Sequence, residues 1–295
     1  MKIKDRSTVP FHIVKGVLLT LLSIVCVLPF IVIISGSLTD NYTILKEGFS
    51  LFPRNATLEA YRTIFRSPEG IVQAYKMNFY YTFMGTSLGL LVITLTAYVI
   101  SRKDFKYRNT VSFLIYFTTI FGGGMIPWYL MYANVLNLRG STLAIWFPAL
   151  ITPFLVILMR TFITGSVPDA VVESAKIDGA GHWRIFWQIV LPVLGPGLAT
   201  VGLFQALGYW NDWYRSSMFS TSSQTWSLQF YLYDLVNSTQ AMRQMAQYAN
   251  VNTADLPTQS VKLAMSVVAT GPILILYPFV QRYFVSGITV GAVKG

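Results

Sequence analysis

Side chains able to do chemistry are sparse in this chain, and their spacing excludes more than it supports. His12 and His182 stand far apart, and no Cys/His/Asp/Glu group has metal-ligand spacing. Cys26, the only cysteine, sits among Ile24, Val25, Val27 and Leu28, so it has no disulfide partner and reads as a buried, inert thiol. There is no GxxxxGK[ST] loop to cradle phosphates, no G-x-S-x-G and no Ser/His/Asp grouping, so the chain reads as non-catalytic. What stands out is one polar island, Glu173 to Pro192, reading ESAKIDGAGHWRIFWQIVLP. Its chemistry is that of contact with another protein rather than of bond making.

The elements that must hold this island are built for lipid. The 295 residues are 54% hydrophobic and 12% charged, about half the charged share of an ordinary soluble domain. The formal charge of +10 comes from Lys and Arg scattered between apolar runs. No dense basic run with stacking aromatics suggests nucleic acid. Six segments are long and apolar enough to cross a bilayer, at 13–37, 77–101, 109–133, 142–165, 194–216 and 260–284. The first follows Lys2, Lys4 and Arg6 but is too long for a signal-peptide core, and it reads as a retained span.

Six crossings place both termini on one side. If that side is cytoplasmic, it carries 13 of the 22 basic residues and five of the 12 acidic ones, a net +8 against +2 outside. The positive-inside rule therefore predicts both termini in the cytoplasm, with the 102–108 loop, RKDFKYR, as its clearest marker. Two long outer segments, 38–76 and 217–259, either receive an external partner or cap the bundle. With no internal repeat, residues 1–295 read as a single transmembrane domain.

Within the island, Ser166 and Pro168 predict a helix start, with Asp169 and Glu173 in the early turns where the helix dipole favours negative charge. Val171, Val172 and Ala175 form a small apolar face. Gly179-Ala180-Gly181 predicts a turn, and His182 to Val190 a second amphipathic segment that Leu191-Pro192 ends. Two short helices meeting at a glycine turn make a knob that fits a groove in a partner. The same pattern also suits a connector lying at the lipid interface.

Spacing favours the knob. Glu173-Ser174-Ala175, Gly179, and Ile189-Val190-Leu191-Pro192 at the matching distance resemble the EAA loop of bacterial ABC-importer permeases, with Ser174 in place of the first alanine. The end, Gly287 to Gly295 (GITVGAVKG), is similar to the tail of maltose-type sugar permeases. Gly122 to Pro127 (GGGMIP) and Trp210-Asn211-Asp212 also resemble the carbohydrate-uptake branch, which handles oligosaccharides and polysaccharide fragments.

The resemblance implies an all-α, multi-pass protein of the bacterial inner membrane with the type I ABC-importer permease fold. It implies a second homologous permease, two ATPase subunits that bind ATP and Mg, an extracytoplasmic solute-binding protein and a sugar substrate, with no cofactor or metal in this chain. The loop 166–193 becomes the coupling element. Glu173, Ser174, Ala175, Asp178, Gly179, Ala180, Gly181, Leu191 and Pro192 then contact the ATPase, and Trp183 and Ile185 brace the second helix. Gly291, Ala292, Val293, Lys294 and Gly295 would enter the ATPase interface.

Sugars stack on aromatic faces and pair with amides, which nominates Tyr81, Trp128, Tyr129, Trp210, Asn211 and Tyr214 for a substrate path. Aromatics near span ends also form interfacial belts. An ion-coupled secondary transporter is the alternative, resting on six spans and on Asp212.

Overall fold

The computed structural model describes residues 9–66, 68–248 and 259–275. Among them the regular structure is helical, with no strand and an isolated bridge between Thr39 and Ala56. In chain order the helices are α1 (Val9–Ser37), α2 (Asn41–Glu47), α3 (Glu59–Ile64), α4 (Pro68–Ser101), α5 (Arg108–Ile120) and α6 (Met125–Leu130), the last running into a π-type turn at Met131–Val135. Next come α7 (Leu143–Trp146), α8 (Pro153–Ser166), α9 (Asp169–Ile177) and α10 (His182–Ile185), which runs into a π-type turn at Phe186–Val190. The series ends with α11 (Leu191–Val193), α12 (Gly195–Trp210), α13 (Tyr214–Phe219), α14 (Leu228–Tyr248) and α15 (Gln259–Ile275). The described residues fall into two compact units, one built from the chain up to Pro68 and from Asp234 to Pro272, the other chiefly from Glu69 to Tyr233.

In the first unit, α1 is apolar on every side and its large apolar side chains from Phe11 to Ile31 are exposed, which suits a helix solvated by lipid. Cys26 lies on this surface and is exposed, so the expectation of a buried thiol is corrected. The segment after α1 is not an open loop. The Asp40 carboxylate caps α2 by accepting the Thr43 amide at 3.1 Å, and the Ser37 hydroxyl meets Tyr61 Oη at 2.8 Å. Asn55, held at a φ of 47°, donates to Thr43 Oγ1 at 2.9 Å. The Asn41 side chain accepts the Gln259 amide at 2.9 Å, which ties α2 to the start of α15.

The second unit is organised on α4. Its buried positions, Ile71, Ala74, Asn78, Tyr81, Gly85, Gly89, Ile93 and Ala97, recur every three or four residues and form one continuous stripe. Gly85 and Gly89 let α12 approach closely. A Cβ at Gly85 would lie 2.2 Å from the Tyr209 ring, and one at Gly89 would lie 2.7 Å from Gln205 Nε2. This is the small-xxx-small packing of membrane helices. Tyr209 cannot yield, because it is buried and donates its hydroxyl to the Trp146 carbonyl at 2.7 Å. Gly85→Val is therefore expected to destabilise the protein by about 1–3 kcal/mol through overpacking. Thermal unfolding in detergent checks this, and combining the change with Tyr209→Ala should recover part of the loss.

Two of the expected spans are bent and a third is cut short. The 109–133 span is two helices, Arg108–Ile120 and Met125–Val135, at 116° to one another. The break falls at Phe121 to Gly124, where Phe121 is extended and Gly124 takes a φ of 84° that glycine adopts without strain. The 142–165 span bends by 48° between Leu143–Ala149 and Pro153–Ser166, because Thr152 before Pro153 is held extended. The 194–216 span ends early at Trp210, and Asn211 to Trp213 separate it from α13. The 77–101 span starts sooner, at Pro68, and the 260–284 span lies partly outside the described residues.

Candidate functional site: a coupling knob

The polar island forms two short helical arms on one turn. Val167 is extended, as the position before a proline requires, and Pro168 occupies the N-cap of α9. Ser166 ends α8 and does not cap α9, which corrects the expected start. Asp169 lies in the first turn and Lys176 in the last, each where the helix dipole favours its charge. The C-terminus closes as a Schellman motif. Gly179 has a φ of 79°, its amide donates to the Lys176 carbonyl at 3.0 Å, and the Ala180 amide donates to the Ala175 carbonyl at 2.9 Å. Gly181 then caps α10.

Packing divides the knob into two faces. Val172, Ile185, Phe186 and Val190 are buried in one apolar cluster with Tyr98 and Ile100 of α4 and Met159 and Ile163 of α8. The Tyr98 and Phe186 rings lie 5.2 Å apart. Ala175, Ala180 and Leu191 pack partly against the same cluster. Facing out are Glu173, Ser174, Asp178, Gly179, Gly181 and Pro192, with Ile177 at 86% and Trp183 at 67% exposure. Ile185 occupies an inner position of the second arm. Trp183 does not: Phe186 holds the inner position, and the indole belongs to the outer face. Val171 is likewise exposed rather than part of the inner face.

The chain does not break at Leu191-Pro192. A π-type turn at Phe186–Val190 precedes Pro192 and gives its ring room, so the helix continues to Val193. The 83° bend to α12 falls at Leu194 and Gly195.

Two ion pairs at the knob escape a reading of the sequence. Lys103 Nζ meets Asp169 Oδ2 at 2.6 Å, and Lys176 Nζ meets Asp104 Oδ2 at 2.5 Å. Hydrogen bonding by Lys176 holds the Asp104 carboxyl below the usual carboxylate range, and Lys103 does the same to Asp169. The available signal was Lys103-Asp104 on one side and, on the other, Asp169 and Lys176 seven residues apart on one helix face.

The six substrate-path residues separate into two groups and a remainder. Tyr81 and Trp210 are core residues, exposed by 1% and 4%. Tyr81 donates its hydroxyl to the Thr225 carbonyl at 2.7 Å, and Trp210 meets Phe79 edge-on at 5.1 Å. Neither is free to stack on a sugar in this conformation, which corrects their assignment. Trp128, Tyr129 and Tyr214 do gather: Trp128 stacks on Tyr214 at 6.3 Å, and Phe219 lies 5.1 Å from Trp128 and 5.5 Å from Tyr129. Asn211 is exposed at the end of α12. Asp212 pairs with Arg215 at 3.1 Å, with both side chains about nine-tenths buried. It is thus a structural partner, not the unpaired carboxylate of an ion carrier. The tail residues Gly291, Ala292, Val293, Lys294 and Gly295 lie outside the described residues.

No family profile matches the chain. Individual relatives do. It is 36% identical over 278 residues to the polygalacturonan/rhamnogalacturonan transport system permease protein YtcP of Bacillus subtilis, covering 94% of this chain and 96% of that one. It is 28% identical over 287 residues to the arabinooligosaccharides transport system permease protein AraQ of Halalkalibacterium halodurans, covering 93% of each. Among solved structures, a chain of a bacterial ABC transporter involved in the import of the acidic polysaccharide alginate superposes with a TM-score of 0.78 at 28% identity, over 96% of this chain and 100% of that one. The two relatives are transport system permease proteins and the structural neighbour is a chain of an ABC importer, so nothing among them supports ion coupling. With its two-armed knob packed on one face and open on the other, the chain belongs to the sugar-transporting permease subunits of ABC importers.

Proposed function

We propose that this permease is one of two homologous subunits that form the path for an acidic oligosaccharide or polysaccharide fragment. It crosses the bacterial inner membrane six times with both termini in the cytoplasm. Two ATPase subunits seat on the knobs and hold ATP and Mg, and an extracytoplasmic binding protein delivers the sugar. The tail from Gly291 to Gly295 enters the interface between the ATPases. The observation that carries the coupling assignment is the division of the knob: Val172, Ile185, Phe186 and Val190 are buried, while Glu173, Ile177, Gly179 and Trp183 form an outer face left exposed among the described residues. The acidic substrate class rests on the polygalacturonan/rhamnogalacturonan relative and the alginate importer.

On this reading, closure of the ATPases draws the knobs together and turns the spans as rigid bodies from inward-open to outward-open. The cluster of Trp128, Tyr129 and Tyr214, with Asn211 nearby in sequence, offers stacking faces and an amide to the passing sugar. The test is reconstitution with candidate binding proteins loaded with oligogalacturonate or with a neutral oligosaccharide. Oligogalacturonate is expected to accelerate ATP hydrolysis, and acceleration by the neutral glycan alone overturns the substrate class. Replacing residues 166–193 should abolish co-elution of the ATPase, and co-elution of the loop-replaced protein refutes the docking assignment.

A further inference from the structure

We infer that Lys103, Asp104, Asp169 and Lys176 are positioning residues for coupling, joining the knob to α4 as one rigid body. The knob is continuous with α8 and α12 and packs on α4 and α8 through one apolar cluster. The crossed ion pairs add a polar connection, from α9 to the residues that follow α4.

The geometry is that of a two-point clamp. Asp169 and Lys176 are seven residues apart, two turns and about 10 Å along one face of α9. Lys103 and Asp104 are adjacent, and each reaches one end, at 2.6 Å and 2.5 Å. One contact would leave α9 free to pivot, whereas two of opposite polarity fix its rotation about its own axis. Between them Val172, 3% exposed, enters the apolar cluster that also holds Tyr98 and Ile100 of α4. The loop side of the clamp is anchored in turn. Arg102 is buried, lies 5.1 Å from the Tyr98 ring centroid, and donates from Nε and Nη2 to Ser101 Oγ at 3.2 Å. The ion pairs are exposed enough that each shifts an equilibrium by about fivefold at most. That is too little to decide folding and enough to decide how α9 is presented.

This inference rests on the reading that the ATPase seats on the knob, and its test separates the two. In the assembled importer, Asp104→Lys is expected to lower the ratio of substrate-stimulated to basal ATP hydrolysis by about two- to fivefold. The reciprocal exchange Asp104→Lys with Lys176→Asp should restore it. An unchanged single variant, or an exchange no better than the single, overturns the clamp. A second measurement bears on the clamp even if the ATPase seats elsewhere. In a Cys26→Ser background, Asp104→Cys with Lys176→Cys is joined by a cleavable bis-maleimide. If α9 and α4 move together, the cross-linked importer keeps transporting. Transport that stops on cross-linking and returns on cleavage refutes rigid-body movement.

Discussion

Gly179→Trp is expected to leave the permease assembled in the membrane and to cut substrate-stimulated ATP hydrolysis by about thirtyfold or more, the scale of losing an interface hot spot. The chain itself has room for the change, since a Cβ at Gly179 meets no atom within 4 Å. Its internal cost is conformational: the φ of 79° that closes the Schellman motif is one that L-residues other than Asn and Asp resist by about 1–2 kcal/mol. Gly179→Asn separates bulk from backbone, because Asn tolerates the left-handed region and projects little from the turn. The Asn variant should keep most of the stimulation while the Trp variant loses it. Measured in purified complex, normal stimulation by Gly179→Trp removes Gly179 from the ATPase contact, and equal loss in both variants shifts the cause to the turn itself.

The knob was legible because it is a local feature: polar residues in an apolar chain, punctuated by Pro168, Gly179 and Gly181, each with its own backbone preference. Its internal phase was not. Trp183 and Phe186 are both aromatic and three residues apart, and which one turns inward depends on where α10 starts and on the π-type turn that follows it. The bends at Gly124 and Thr152 escaped for a different reason, since apolar residues continue on both sides of each break and hydropathy averages across it. Gly85 and Gly89 stood in the sequence at small-xxx-small spacing, but only the structure supplies Tyr209 and Gln205 as what they admit. The ion pairs were the least accessible, because Asp104 and Lys176 lie 72 residues apart and neither is unusual alone.

Asp212→Ala is expected to destabilise the permease by about 3–5 kcal/mol, the cost of leaving a buried charge without its partner. Arg215 is 9% exposed, its Nε lies 3.1 Å from Asp212 Oδ1, and its guanidinium carbon sits 4.9 Å from the Tyr209 ring centroid. Asp212 also accepts the Arg215 amide at 3.5 Å, at the break where α12 gives way to α13. The pair is not fully satisfied internally, because Asp212 Oδ2 and Arg215 Nη1 are buried without a hydrogen-bond partner. A buried pair of this kind costs desolvation on both sides, so removing both charges is much cheaper than removing one. Asp212→Leu combined with Arg215→Met should therefore recover most of the stability lost in the single variant, as read by thermal unfolding in detergent. The same pair of variants decides what the carboxylate is for. A structural ion pair predicts that the double variant transports sugar near the normal rate. A carboxylate that carried a coupling ion would leave it folded and inactive, and that outcome would overturn the structural assignment of Asp212.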